Sequence, residues 1–268
     1  MLLVIDVGNT NTSLGVFQGF ELIAHWRLTT NPARTVDEYG VHARNLFALA
    51  DLDFKTIDAI AIASVVPPLN YTLKTMAESY FKLTPLFVDP TTNTGVKILY
   101  EPAADVGADR IVDAVAAIHK YGAPCIVVDF GTATTFNAIN SHGEYLGGVI
   151  TPGIMISADA LFVRTAKLPR VDIKRPQQVI GSSTITAMQS GLYHGYVGLV
   201  DGVLRKMLDE LGGSARIIAT GGLAPLIATG SEFIELVDDT LTLEGLRLVH
   251  ERCRNAKVKE SKADASVS

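Results

Sequence analysis

Twice in this sequence an apolar run stops at an aspartate, passes through a glycine and small polar residues, and turns into a second apolar run. The first copy is Val4-Ile5-Asp6-Val7-Gly8-Asn9-Thr10-Asn11-Thr12-Ser13, followed by Leu14-Gly15-Val16-Phe17. The second is Ile126-Val127-Val128-Asp129-Phe130-Gly131-Thr132-Ala133-Thr134-Thr135, followed by Phe136-Asn137-Ala138-Ile139. Each is a strand–turn–strand hairpin with D-x-G at the first strand's end, and Thr12 and Thr135 fall at the same offset from their aspartates. One such turn is equally an ordinary polar hairpin closed by an acid. Asp6 and Asp129 lie 123 residues apart in a chain of 268. A repeat at close to half the chain implies two related domains, each bringing a hairpin of this kind to one cleft.

The turn residues suit a phosphate. Gly8 frees a backbone N–H, and the residues from Asn9 to Ser13 offer amides and hydroxyls. A carboxylate at the strand end, as at Asp6, can hold a metal ion that shares those phosphates.

Around the hairpins the pattern is α/β. Glu21–Leu28 predicts a third strand, Thr35 and Asp37 offer helix-start chemistry, and Val36, Tyr39, Val41, Leu46 and Leu49 form a helical stripe. Ile57–Ala63 predicts a buried strand, Pro67-Pro68 opens a helix through Leu83, and Leu86–Val88 predicts a short strand. Gly107-Ala108-Asp109-Arg110 starts a helix running to Tyr121. In the second half Gly143–Ile150 predicts a strand, Ile154 to Phe162 a helix, and Ser182–Leu211 the longest helix. Arg216–Ala219 is a strand ending in Thr220-Gly221-Gly222, and Leu243–Arg254 a last helix. This divides the chain into domains at 1–115 and 116–254, with a charged, serine-rich disordered tail at 255–268.

The longest helix carries Gly191, Gly195, Gly198 and Gly202 on one face. Each glycine in a helix costs about 1 kcal/mol against alanine, so another backbone is expected to approach there. That partner is a helix of the same chain or of a second subunit.

Composition narrows the function. A net charge of −5 argues against a nucleic-acid surface. Cys125 and Cys253 lie far apart and show no zinc or disulfide spacing, which fits a reducing cytoplasm. The N-terminal apolar run lacks a basic leader, so no signal peptide is expected, and no run reaches the roughly 20 residues of a membrane helix.

D-x-G-N-T-N-T, D-x-G-T-A-T-T and the A-T-G-G of Ala219–Gly222 together resemble the two phosphate motifs and the adenosine motif of the actin, sugar-kinase and heat-shock-chaperone superfamily. Within it, Asn9–Thr12, Gly107-Ala108-Asp109-Arg110, Gly147-Gly148-Val149-Ile150-Thr151-Pro152-Gly153 and Ala166-Lys167-Leu168-Pro169 resemble type III pantothenate kinases, over nearly the whole chain from Leu2 to Arg254. The resemblance implies two duplicated actin-like (ribonuclease H-like) α/β domains with mixed sheets around a central nucleotide cleft. It implies phosphorylation of pantothenate by ATP to 4′-phosphopantothenate, the first step of coenzyme A biosynthesis. A homodimer, magnesium, and a monovalent cation such as potassium or ammonium are implied as well. The absence of the large insertions of most sugar kinases speaks against a sugar substrate. An accessory regulator of transcription with the same fold is the alternative; Asp6, Asp109 and Asp129 together favour the enzyme.

Roles follow residue by residue. Asp6 organises Mg²⁺, through water, and Asp6, Val7, Gly8, Asn9, Thr10, Asn11, Thr12 and Ser13 wrap the ATP phosphates, with Thr132 on their other side. Asp109 is the general base; its residue type alone equally suits an acid placed at a helix N-terminus. Arg110 is an anion partner, or a surface arginine on the helix's first turn. The resemblance assigns Tyr100, Gly107, Ala108, Asp109, Arg110 and Thr184 to the pantothenate site. It assigns Asp129 to the monovalent cation; a second magnesium acid mirroring Asp6 is the other possibility there.

Overall fold

β1 (Leu2–Val7) reads Leu-Leu-Val-Ile-Asp-Val and is buried on both faces except at Asp6. Such a run belongs in the middle of a covered sheet. In the computed structural model, which describes residues 1–265, β1 is the central strand of five. β2 (Asn11–Gln18) pairs with it antiparallel, and β3 (Glu21–Thr29) pairs antiparallel with β2. On the other side β4 (Ala59–Ser64) and β5 (Leu86–Val88) run parallel to it, giving the order β3-β2-β1-β4-β5.

One face of this sheet is covered by α1 (Val36–Leu49) and α2 (Pro67–Met76). There Leu3, Ile5, Val16, Phe47, Ile60, Ile62, Leu69 and Leu73 form a core. Thr35 caps α1 in a reciprocal pair with Glu38, as its position predicts. α2 stops short of the predicted Leu83. It passes at Ala77–Phe81 into a wider π turn, which ends at Lys82 with φ +62°. α3 (Ala108–Tyr121) contributes its residues up to Ala116 to this unit and covers the sheet's other face with Ala108, Val112 and Val115.

The second unit repeats the plan. β6 (Cys125–Phe130) is central, β7 (Ala133–Ile139) and β8 (Tyr145–Pro152) follow antiparallel, and β9 (Arg216–Thr220) and β10 (Leu236–Val237) are parallel. The order β10-β9-β6-β7-β8 is that of the first sheet, strand for strand. The duplication inferred from two motifs is a duplication of whole sheets. α4 (Ile154–Arg164), α5 (Thr184–Glu210) and α6 (Ala224–Ala228) complete the unit. Tyr193, Tyr196, Val200 and Leu204 of α5 pack on Ile126, Val128 and Phe136. β10 was not expected from sequence; two residues carry no period.

The units divide the chain differently from the sequence expectation of 1–115 and 116–254. The last helix, α7 (Leu241–Ala265), belongs to the first unit. Its Leu243, Leu246 and Val249 close the core beneath Leu2, Val4 and Phe17. Gly245 presses on Val112 of α3, where a Cβ would overlap the carbonyl, and Thr242 donates a 2.7 Å hydrogen bond to the fully buried Asp113. Lys97–Tyr100 goes instead to the second unit, because Lys97 and Leu99 exchange backbone hydrogen bonds with Tyr145. The tail expected to be disordered from 255 continues α7 through Ala265; residues 266–268 lie outside the described residues.

Candidate active site

Registry places both aspartates alike. Asp6 sits opposite Ser13 on β2 and Ala63 on β4; Asp129 sits opposite Thr135 on β7 and Thr220 on β9. Each is the last but one residue of its central strand, half-buried where the strand opens into the turn. The turns differ by one residue, however. Thr12 pairs with Val7 and Thr134 with Phe130, so Thr134, and not Thr135, is the counterpart of Thr12. Both are 1% exposed, and each bonds a second hydroxyl beneath its hairpin: Thr12 with Thr30, Thr134 with Tyr196.

This geometry sorts the hairpin residues. Asn9, Thr10 and Asn11 are exposed at the tip, Gly8 and Ser13 are partly covered, and Val7 and Thr12 face the interior. The expectation that Gly8 frees its N–H does not hold: that N–H donates to the Asn11 carbonyl at 3.0 Å and closes the turn. Thr12 has no hydroxyl to offer a phosphate. Thr30 donates to the Gly8 carbonyl at 2.7 Å, so the 2.8 Å contact between Thr12 and Thr30 takes its proton from Thr12. Thr30 lies one residue beyond β3, and no motif singles it out.

The segment Gly107–Arg110 meets this hairpin through Val65. The Val65 N–H donates to the Val7 carbonyl at 3.0 Å, and its Cγ1 lies 3.3 Å from the Cβ position of Gly107. Asp109 follows in the first turn of α3, and its Oδ1 accepts the Arg110 N–H at 2.7 Å. Burial pushes the Asp109 carboxyl above the ordinary range, partly offset by the Arg110 N–H and the Arg110 charge. A partly covered carboxylate with a raised pKa is a stronger base than a solvated one, and the same position in the first turn of α3 also suits an acid favoured by the helix dipole. Gly107 leaves room for that carboxylate, since a Cβ there would stand 2.5 Å from Asp109 Oδ1. Arg110 is 7% exposed, which removes the surface-arginine alternative.

In the second unit, glycines surround Asp129. A Cβ on Gly221, at φ +92°, would lie 2.6 Å from its Oδ1, and one on Gly131 would lie 3.3 Å from its Oδ2. Gly153 donates to the Thr132 carbonyl at 3.2 Å, and a Cβ there would overlap that carbonyl, so the Gly147–Gly153 stretch buttresses the second turn. Tyr100 lies against Gly147 (φ +122°), where a Cβ would come 2.9 Å from the ring. Thr184 is the exposed first residue of α5, behind the Ser183 cap.

Among the described residues no group of three or more His, Cys, Asp or Glu side chains gathers to hold a metal. A single half-buried carboxylate such as Asp6 suits an ion that keeps water and phosphate oxygens, as Mg²⁺ does. Among the described residues no helix is long and apolar enough to cross a membrane.

Two matched five-strand sheets, each with an acid and a glycine turn at its central strand, give the duplicated α/β fold expected from the sequence. The fold is similar to a Campylobacter jejuni structure assigned to the Baf family of transcriptional activators, with a TM-score of 0.60 at 19% identity over 94% of this chain and 99% of that one. It is also similar to a Listeria monocytogenes structure assigned as an N-acetylmannosamine kinase, with a TM-score of 0.52 at 13% identity over 94% and 99%. At these identities the likeness is one of fold. The sequence matches the family described as type III pantothenate kinase over residues 2–206. It is 59% identical to the type III pantothenate kinase of Koribacter versatilis over 94% of this chain and 96% of that one. The chain belongs to the type III pantothenate kinase family.

Proposed function

We propose that Asp109 is the general base of an ATP-dependent phosphorylation of pantothenate to 4′-phosphopantothenate, the first step of coenzyme A biosynthesis. The chain is a kinase by its family, and the half-buried Asp109 beside Gly107, its carboxyl raised by desolvation, is the observation that supports this role. The Asp109 carboxylate takes the proton from the attacking pantothenate hydroxyl as its oxygen bonds to the γ-phosphorus and the bond to ADP breaks. Arg110 supplies a fixed cation beside that carboxylate. The exposed tip Asn9–Asn11 and the carboxylate of Asp6 receive the phosphates, and the family resemblance assigns Thr132 of the second unit to them as well. Mg²⁺, when bound through Asp6, supplies charge neutralisation for them. The family resemblance also assigns Gly107 and Ala108 of the first unit, and Tyr100 and Thr184 of the second, to the acceptor.

Asp129 is assigned to the monovalent cation. Gly131 and Gly221 keep side chains away from its carboxylate, which leaves space for a cation and its water. The working state is a homodimer. Among the described residues nothing comes within 4 Å of a Cβ built on Gly191, Gly195, Gly198 or Gly202, so the expected close approach is not made within the protomer. Gly198 and Gly202 floor a groove of about 620 Å³ with Gly147, Gly148, Leu199 and Val203, and a second copy is its occupant. A cytoplasmic location agrees with the free thiols Cys125 and Cys253. The regulatory alternative has only a likeness of fold behind it. ADP release on mixing the protein with ATP, Mg²⁺, potassium and pantothenate tests the assignment.

A further inference from the structure

Thr30 touches the first hairpin at three points and belongs to none of the motifs. Its N–H donates to the Thr10 carbonyl at 2.9 Å, its hydroxyl donates to the Gly8 carbonyl at 2.7 Å, and it accepts from Thr12 at 2.8 Å. The two carbonyls flank Asn9, so one residue anchors the tip on both sides. Thr30 is 8% exposed, at the end of β3, and its hydroxyl is held among buried groups.

The consequence follows from peptide geometry. In a planar trans peptide the C=O and the next N–H point to opposite sides. With the Gly8 carbonyl drawn onto the Thr30 hydroxyl, the Asn9 N–H faces away from Thr30, on the outward side of the tip. Gly8 itself cannot serve there, because its N–H is taken by Asn11. Released from Thr30, the Gly8–Asn9 peptide is free to rotate, since a glycine imposes little φ/ψ restraint.

We propose that Thr30 is a positioning residue for ATP: by holding the Gly8 carbonyl it aims the Asn9 N–H at the nucleotide phosphates. The proposal rests on the assignment of this hairpin to ATP. It predicts a defect on the nucleotide side alone, because Thr30 touches no part of the Gly107–Arg110 segment in the contacts described above.

Steady-state kinetics and calorimetric titration of MgATP, on the full chain, test it together. Thr30→Val keeps the shape and removes the hydroxyl. It is expected to raise the KM for ATP and the MgATP Kd by about fivefold to tenfold, the scale of one lost hydrogen bond. The KM for pantothenate is expected to stay within about twofold, and Thr30→Ser, which keeps the donor, to restore ATP binding to within about twofold of the wild type. Should circular dichroism show Thr30→Val unfolded, Thr30→Ala carries the same expectation. Equal MgATP binding by wild type and Thr30→Val overturns the proposal while leaving the kinase assignment intact. Equal rises in both KM values overturn it too, as a general structural defect. A wild-type protein that binds MgATP but does not phosphorylate pantothenate removes the substrate assignment, and the titration still decides the role of Thr30. A wild-type protein that binds no MgATP overturns both.

Discussion

The N–H of Arg110 donates to Oδ1 of Asp109 at 2.7 Å, one residue on in the same helical turn. This bond and the Arg110 charge favour the carboxylate, while burial, the larger effect, favours the neutral acid. The net direction is upward, and it sets two pH dependences. As a base Asp109 works only when ionised, so kcat/KM is expected to rise with pH along a limb lying above the ordinary carboxylate range of about 3.9. Stability runs the other way. The folded state binds this proton more tightly than the unfolded chain, so stability falls as pH rises from about 3.9 through the raised value.

Asp109→Asn therefore predicts opposite changes in function and stability. Turnover is lost and the acid limb disappears. Above the raised value, Tm is expected to increase, because the variant carries no charge to desolvate. Below the ordinary range the two proteins should melt together. Thermal scans across pH check this, and an unchanged Tm at pH 8 counts against a desolvated carboxylate at Asp109.

Gly107→Ala places a methyl 2.5 Å from Asp109 Oδ1, too close for either to stay in place. The backbone there needs no left-handed conformation, and the carboxylate is the movable end of a side chain. The expected outcome is a small loss of stability, under about 1 kcal/mol, with a fall in kcat of about tenfold or more, since misplacing a base by 1 Å carries that scale of penalty. A variant with wild-type kcat contradicts the placement of Asp109 at the reacting hydroxyl.

Asp129→Ala tests the cation assignment. Potassium activation should weaken or vanish while the magnesium requirement remains. If the variant keeps its potassium response and demands more magnesium, Asp129 belongs to the divalent ion instead.

The glycine face of α5 makes a claim about assembly. Gly198→Leu adds a side chain into open space within the protomer and improves helix propensity by up to about 1 kcal/mol, so folding should be undisturbed. Sedimentation should give a dimer for the wild type and a monomer for the variant. A dimeric variant places the interface elsewhere.

How far the sequence revealed this structure depends on the range of the contacts involved. The D-x-G turns were legible because strand, acid and glycine are contiguous, and the doubled sheet followed from their spacing. Thr30 was not, because its partners Gly8, Thr10 and Thr12 lie across a strand pairing. The matching of Thr12 with Thr134 was also hidden: it depends on a one-residue difference in turn length that only the ladder registers. The fate of α7 was decided by Gly245 against Val112 and Thr242 against Asp113, contacts far apart in sequence. The helix face of four glycines was visible from its spacing, but whether a partner filled it was a tertiary question.

The central claim is a pantothenate kinase whose base is Asp109. It is tested most directly by coupled ADP release from the purified chain with ATP, Mg²⁺, potassium and pantothenate, run beside Asp109→Asn. The wild type is expected to release one ADP per phosphopantothenate formed, and Asp109→Asn to bind ATP without turning over. Near-normal turnover by Asp109→Asn, or ADP release with a hexose and none with pantothenate, contradicts it.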